Sequence, residues 1–247
     1  MKEKSKILVF VPTYNEKDNV EKLFQEIMAL GEGIDILFMD DNSPDGTGQV
    51  LDALAVKNKH LTVIHRKGKL GIGSAHREGI RWAYEHEKDI LITMDGDFSH
   101  PPQTIPLLLK EKDKADIVIG SRYVLKDGME GWSFFRVFLT KVGHFLLLIL
   151  LKLPYDAKVA FRLYKLKSIP PALFDRVRSQ GYSFFFESLF VLSYNKFKIV
   201  EVPLKSPVRT RGHSKMRLSD ACQSFLLLLE LFFDSLFNRK RFDLKGK

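Results

Sequence analysis

Five short apolar runs punctuate the first half of the chain: Ile7–Val11, Ile34–Met39, Leu61–Ile64, Ile90–Met94 and Ile117–Ile119. Each is rich in Ile, Val and Leu and bounded by turn formers, the pattern of strands buried on both faces. Amphipathic stretches over Asp18–Leu30, Gly46–Val56, Gly71–Glu85 and Pro102–Lys112 lie between them and predict helices. Strand and helix in alternation up to about Val124 imply an α/β fold, a mostly parallel sheet covered on both sides. Ligands of such sheets bind beyond the carboxyl ends of the strands. The second half reads differently. Trp132–Leu153 carries the apolar run Phe145–Leu151 and breaks at Pro154-Tyr155-Asp156. Phe161–Tyr164 and Lys198–Val202 read as short strands flanking a helix over Phe184–Tyr194, and Ala221–Phe237 is apolar apart from Glu230 and Asp234. No repeat, low-complexity tract or linker separates the two parts, so 1–124 and 125–247 are expected to form one continuous domain.

Composition narrows the class. Of the 247 residues 45% are hydrophobic and 28% charged, enough to bury a core, which excludes a disordered tail or a collagen-like rod. The single Cys222 excludes an internal disulfide framework. The apolar start stops at Pro12, too early for a signal peptide. No segment holds the ~18 uninterrupted apolar residues of a spanning helix. Lys and Arg outnumber Asp and Glu by 39 to 30, a formal charge of +9 that attracts anionic partners.

Chemistry is therefore sought just after each strand. Pro12-Thr13-Tyr14-Asn15-Glu16 offers a fixed backbone, an aromatic face and a carboxylate that can accept from a base or ribose, or simply a strand-to-helix turn. Asp40-Asp41-Asn42-Ser43-Pro44-Asp45-Gly46-Thr47 sets two adjacent carboxylates at a strand end, where one needs a donor. Asp45 and Thr47 suit a helix cap, and Asp41 suits hydrogen bonding to a nucleobase or ribose. Asp95-Gly96-Asp97 follows the fourth strand: two carboxylates around one small residue can hold a hard divalent cation, which neutralises a diphosphate. His100, before Pro101-Pro102, reads as a turn histidine.

With these strand ends in view the chain resembles the family-two, GT-A-fold glycosyltransferases, above all their dolichyl-phosphate mannose synthase and polyprenyl-phosphate glycosyltransferase branch. The matching residues are PTYNE at 12–16, DDNSPDGT at 40–47, KLGIGSAHREG at 69–79, DGDFSHPP at 95–102, GSRY at 120–123, FRLY at 161–164 and VRTRGHSK at 208–215. The resemblance implies a GT-A, Rossmann-like domain with amphipathic C-terminal helices. It implies transfer of a hexose, with mannose from GDP-mannose the first expectation and a UDP-sugar the second, to a polyprenyl or dolichyl phosphate. By the same resemblance Pro12, Tyr14, Glu16, Met39 and Asp41 hold the nucleoside. Asp95, Gly96 and Asp97 meet the diphosphate and sugar. Asp97, Asp95 and Ser99 bind Mg²⁺ or Mn²⁺. Arg122, Arg136 and Thr140 face the lipid phosphate, and Arg209 and Lys215 clamp the donor diphosphate. Ser99 stands where the mannose synthases often carry a longer amide, so a water is expected between its hydroxyl and the ion.

The residues agree with such chemistry. Departure of a nucleotide diphosphate builds negative charge that cations stabilise in the transition state. A phosphate monoester, with a second pKa near 6, is already ionised at neutral pH and needs no general base. Attack opposite the leaving group implies inversion. Phe145–Leu151 and Phe225–Phe237 are expected to lie in a membrane interface, aided by Arg209, Arg211, Lys215, Arg217 and the five basic residues of 238–247. The expected location is peripheral, on the cytoplasmic face of a membrane, with a membrane-anchoring subunit as a possible partner. A nucleic-acid-binding protein is the rival that the charge suggests, but no zinc finger or RNP motif is present and no nucleic acid is expected. A catalytically silent membrane-bound relative is the third alternative, opposed by the retained Asp95 and Asp97.

Overall fold

Pro12 and Thr13 extend the first apolar run into β1 (Ile7–Thr13), the inner strand from which the sheet grows. The computed structural model describes residues 5–31, 33–207 and 218–244. Strands β2 (Ile34–Asp40), β3 (Leu61–His65), β4 (Ile90–Thr93), β5 (Ile117–Ser121), β6 (Arg162–Lys165) and β7 (Ile199–Pro203) complete a seven-stranded sheet in the order β3-β2-β1-β4-β6-β5-β7. Its first four members are mutually parallel, with Pro12 opposite Met39 and Phe10 opposite Thr93. β6 runs antiparallel to both β4 and β5, while β7 is parallel to β5. β4 and β5 consequently point the same way, and their carboxyl ends open on one edge.

Alternation along the strands assigns the two faces. Val9, Val11, Ile36, Phe38, Ile92 and Val118 form one cluster with α1 (Lys17–Met28), α2 (Thr47–Ala55) and α4 (Ile105–Lys110). Leu8, Phe10, Leu37, Met39, Leu91 and Ile119 form the other with α3 (Ile72–Glu85), α5 (Phe134–Leu151), α6 (Phe184–Tyr194) and α7 (Leu218–Phe237). Each large side chain withdrawn from water contributes about 2 kcal/mol, and α6 buries every residue from Phe184 to Leu192.

Three buried charged groups tie the second half together. Arg162, fully buried, donates to the carbonyls of Ala157, Val159 and Phe185 and to the Ser188 hydroxyl. Glu187 on α6 accepts from the backbone N–H groups of Arg178 and Ser179 and from Arg241, which also binds Glu230 and Asp234 of α7. The segment after α7 is thereby fastened back onto α6.

α5 differs from expectation. Counting uninterrupted apolar residues stops at Arg136 and Lys141, yet over its 18 residues the helix is long and apolar enough to cross a membrane by length and composition. Leu147 and Leu151 face the core, whereas Phe134, Phe135, Phe138, Phe145 and Ile149 are exposed. α7 packs beside it and exposes Phe225, Leu226, Phe233 and Phe237.

Close approach of α3 to β1 depends on Gly79, where a Cβ would meet three atoms of the Phe10 ring at 2.5–2.7 Å. We expect Gly79→Ala to destabilise the fold by about 1–3 kcal/mol through overpacking, read as a lower urea midpoint with an unchanged slope. An unaltered midpoint would show that α3 does not rest on β1 in this way.

Candidate active site

The loops after β1 and β2 brace one another. The Asn15 amide donates to the Ser43 hydroxyl at 2.9 Å, the Glu16 amide to the Thr47 hydroxyl at 2.9 Å and the Lys17 amide to Asp45 at 3.2 Å. Asp45 also accepts from the Thr47 amide and hydroxyl, at the first residue of α2. The adjacent acids divide their tasks. Asp40 accepts from the Ser43 amide and hydroxyl and from the Thr13 hydroxyl, shaping the turn. Asp41 pairs with Arg66, whose Nη1 lies 2.5 Å from Oδ1. Among the described residues nothing donates to Asp41 Oδ2, which leaves that oxygen for a ligand. Burial raises the Asp41 pKa above the ordinary carboxylate range, and the Arg66 charge opposes that rise.

Arg66 follows β3 and was not foreseen. Its guanidinium also binds the Ser74 hydroxyl and approaches Glu78, both on α3. The strand-end rule that singled out Asp41 applies equally at His65-Arg66, but a lone basic residue there carries no signal in the sequence. Tyr14, half-buried, lies beneath Lys69, whose Nζ is 4.8 Å from the ring centroid. Met39, 1% exposed, packs in the core with α3, and its carbonyl accepts from the Thr13 hydroxyl at 3.4 Å.

Asp95, Gly96 and Asp97 lie just beyond β4, on the same edge. Gly96 adjoins the first loop: a Cβ on it would lie 3.5 Å from Glu16 Cγ and from Thr13 Cγ2, ordinary contacts that leave the position sterically open. Asp97, 8% exposed, accepts from the Ser99 amide at 3.0 Å and from the Ser99 hydroxyl. The Asp95 amide donates to His100 Nδ1 at 3.0 Å, so the proton of that ring sits on Nε2 and neither nitrogen is open to a metal. His100 lies 3.7 Å from the Asp95 carboxylate, but the amide bond requires its neutral form and the contact is not an ion pair. Each loop contains a non-glycine residue in the left-handed region, Asn15 (φ 55°), Asn42 (φ 56°) and Phe98 (φ 61°). Asparagine tolerates this conformation, whereas at phenylalanine it marks strain held by the surroundings.

Two strands away, Arg122 follows β5 and grips Asp156 through its amide, Nε and Nη2 at 2.6–3.1 Å. Asp156 is 1% exposed; burial works against its ionisation, but Arg122 holds its pKa below the ordinary range. Asp95 adds to the field that keeps Arg122 charged, which links the two strand ends electrostatically. Trp132 lies between the arginines, its ring 3.5 Å from Arg136 Cζ and 5.4 Å from Arg122 Cζ, with its indole N–H on the Ser206 carbonyl. The Thr140 carbonyl, on the same helix as Arg136, accepts from Tyr123 and Lys158. Asp156 and Lys158 were not foreseen either. Arg209 and Lys215, the expected diphosphate clamp, lie outside the described residues.

The edge thus holds carboxylates beside a braced nucleoside-sized loop pair and, further along, a cationic corner beside an apolar helix. The fold is that of the GT-A glycosyltransferases. The profile described as Glycosyl transferase family 2 matches residues 8–168, and the chain belongs to that family. It is 35% identical over 212 residues to the undecaprenyl-phosphate mannosyltransferase of Micrococcus luteus, covering 85% of this chain and 87% of that one. Identity to the polyprenol monophosphomannose synthase of Mycolicibacterium smegmatis is 33% over 226 residues, covering 90% of this chain and 85% of the other. Glucosyl-3-phosphoglycerate synthase from Mycobacterium tuberculosis, solved with Mn²⁺, UDP and glucosyl-3-phosphoglycerate, matches in fold with a TM-score of 0.64 at 18% identity, over 94% of this chain and 79% of that one.

The Asp41–Arg66 pair supplies a test. Arg66→Met strands a buried carboxylate and is expected to cost about 3 kcal/mol in urea denaturation. Adding Asp41→Leu should recover most of that loss. A single variant as stable as the parent would show that the pair does not hold the loop.

Proposed function

We propose that the protein moves a hexose, mannose in the first instance, from a nucleotide diphosphate sugar to the phosphate of a polyprenol at a membrane surface. The observation that carries this reading is the placement on one sheet edge of carboxylates after β4 and arginines after β5, beside the exposed apolar face of α5. The names of the Micrococcus and Mycolicibacterium relatives support mannose as the sugar and a polyprenyl phosphate as the acceptor. Both parts of the chain, 1–124 and 125–247, act as one unit in this reading.

The donors beyond β4 suit a hard divalent ion. Among the described residues no group of three or more His, Cys, Asp or Glu side chains forms a complete cage. Mg²⁺ and Mn²⁺ sites built from one or two carboxylates, with phosphate oxygens of the substrate filling the remainder, have that composition. Asp97, Asp95 and the Ser99 hydroxyl would hold the ion, and the Mn²⁺ of the Mycobacterium tuberculosis structure supports the assignment. When bound, such an ion offsets the charge that grows on a departing diphosphate.

The chain's own groups do the rest. Pro12, Tyr14, Glu16, Met39 and Asp41 hold the nucleoside, Asp41 accepting through the oxygen that Arg66 leaves open. Gly96 gives the sugar diphosphate room. Arg122, Arg136 and Thr140 orient the acceptor phosphate, whose second pKa near 6 leaves it ionised at neutral pH, so no base is required. Displacement from the face opposite the leaving group inverts the anomeric carbon. Arg209 and Lys215 close on the donor diphosphate. The exposed faces of α5 and α7 rest in the headgroup region on the cytoplasmic side, where a membrane subunit is an addition to the chain's own attachment.

We expect a panel of GDP- and UDP-sugars with a short polyprenyl phosphate to give fastest transfer from GDP-mannose and a β-linked product from the α-linked donor, read from NMR coupling. Asp97→Ala should lower turnover at least a hundredfold and stability by only about 1 kcal/mol. Full turnover in that variant would remove the metal assignment. Flotation with anionic vesicles at low and moderate salt should carry the protein upward, more so at low salt; indifference to lipid in both buffers would end the interfacial reading.

A further inference from the structure

Lys158 lies in the loop between α5 and β6 and donates from Nζ to the Thr140 carbonyl of α5 at 3.0 Å. The room it occupies is left by Gly143 on the same helix, where a Cβ would come within 2.6 Å of Nζ. An ammonium has three N–H donors. Among the described residues Lys158 makes this one hydrogen bond and no ion pair. Its neighbouring acid attracts it without a hydrogen bond: both Asp156 oxygens are engaged by Arg122, and Asp156 is withdrawn from solvent. Charge on this corner is accordingly uneven. Arg122 is paired with Asp156, while Lys158, with no ion pair among the described residues, lies against an exposed apolar helix. The groups facing Lys158 are Arg122 from the segment after β5, Asp156 from its own loop and His144 from α5. Burial holds the His144 pKa below its ordinary value, so this ring supplies no positive charge at neutral pH.

We propose that Lys158 is an acceptor-binding residue, presenting its two remaining N–H donors and its charge to the dianionic phosphate of the lipid acceptor. The proposal rests on the polyprenyl-phosphate reading above and adds a residue to it. A dianion is stabilised by each cation set beside it, and Lys158, held on the Thr140 carbonyl, adds one to the arginines of the acceptor corner. Burial, aided by repulsion from Arg122, lowers the Lys158 pKa to about 8. The ammonium is therefore half deprotonated near pH 8, largely retained about a unit below and largely lost about a unit above. Acceptor binding should rise with ionisation of the phosphate near pH 6 and fall again through about pH 8.

The test uses the full chain with farnesyl phosphate as probe. Calorimetric titration of the unmodified protein across this range reads the alkaline fall directly and needs no variant to fold. Lys158→Met should weaken farnesyl phosphate binding about tenfold or more and abolish the alkaline limb, with the KM for the nucleotide sugar unchanged. Inorganic phosphate should bind far more weakly than farnesyl phosphate, since it lacks the chain that α5 receives. A Lys158→Met protein that binds farnesyl phosphate as tightly as the parent, with the same pH profile, overturns the proposal and leaves the glycosyl-transfer reading standing. Equal loss of donor and acceptor affinity in that variant overturns it too, by revealing a structural pin on α5. An unmodified protein that ignores farnesyl phosphate and glycosylates a hydroxyl acceptor removes the functional reading, and this proposal with it.

Discussion

A guanidinium sealed inside a protein must direct its donors to whatever acceptors the interior offers. Arg162 meets no carboxylate among the described residues; its hydrogen bonds go to three backbone carbonyls, the Ser188 hydroxyl and, more distantly, the Tyr164 hydroxyl. The carbonyls belong to the loop before β6 and to α6, so one buried charge fixes both. That loop carries Asp156, which holds Arg122, and Lys158, which reaches α5. Thr93 at the end of β4 is opposite Arg162 in the sheet and donates to the Ala160 carbonyl of the same loop. The acceptor corner therefore stands on a charge whose cost of burial is offset only while every donor is satisfied. Loss of any one of those carbonyl contacts loosens Asp156, and with it the arginine after β5.

Much of this plan was legible along the chain because strands buried on both faces write themselves as unbroken apolar runs. The strand ends could be read for the same reason: acids at Asp40, Asp41, Asp95 and Asp97 stand out where an apolar run stops. The need for a donor beside Asp40-Asp41 was equally plain, since neighbouring carboxylates repel. Its source was hidden. Arg66 lies 25 residues on, and only the parallel pairing of β2 with β3 brings it alongside. Asp156 was visible merely as a break after an apolar stretch, because its partner Arg122 is 34 residues away.

Other features escaped for different physical reasons. Four residues at Arg162–Lys165 hold no information about direction, so the antiparallel insertion of β6 could not be read from its pattern. In α5 the interruptions at Arg136 and Lys141 conceal a continuous apolar helix, of which Arg136 lies against Trp132.

The antiparallel strand also works as a spacer. Neighbouring strands lie about 4.8 Å apart, so placing one between β4 and β5 separates their carboxyl ends by about 10 Å. Had β4 and β5 paired directly, the acids and the arginines would have closed on each other as salt bridges. With a single strand interposed, the acids and the arginines stand on separate strand ends of one edge, and the sheet itself becomes the ruler for what can be passed across it.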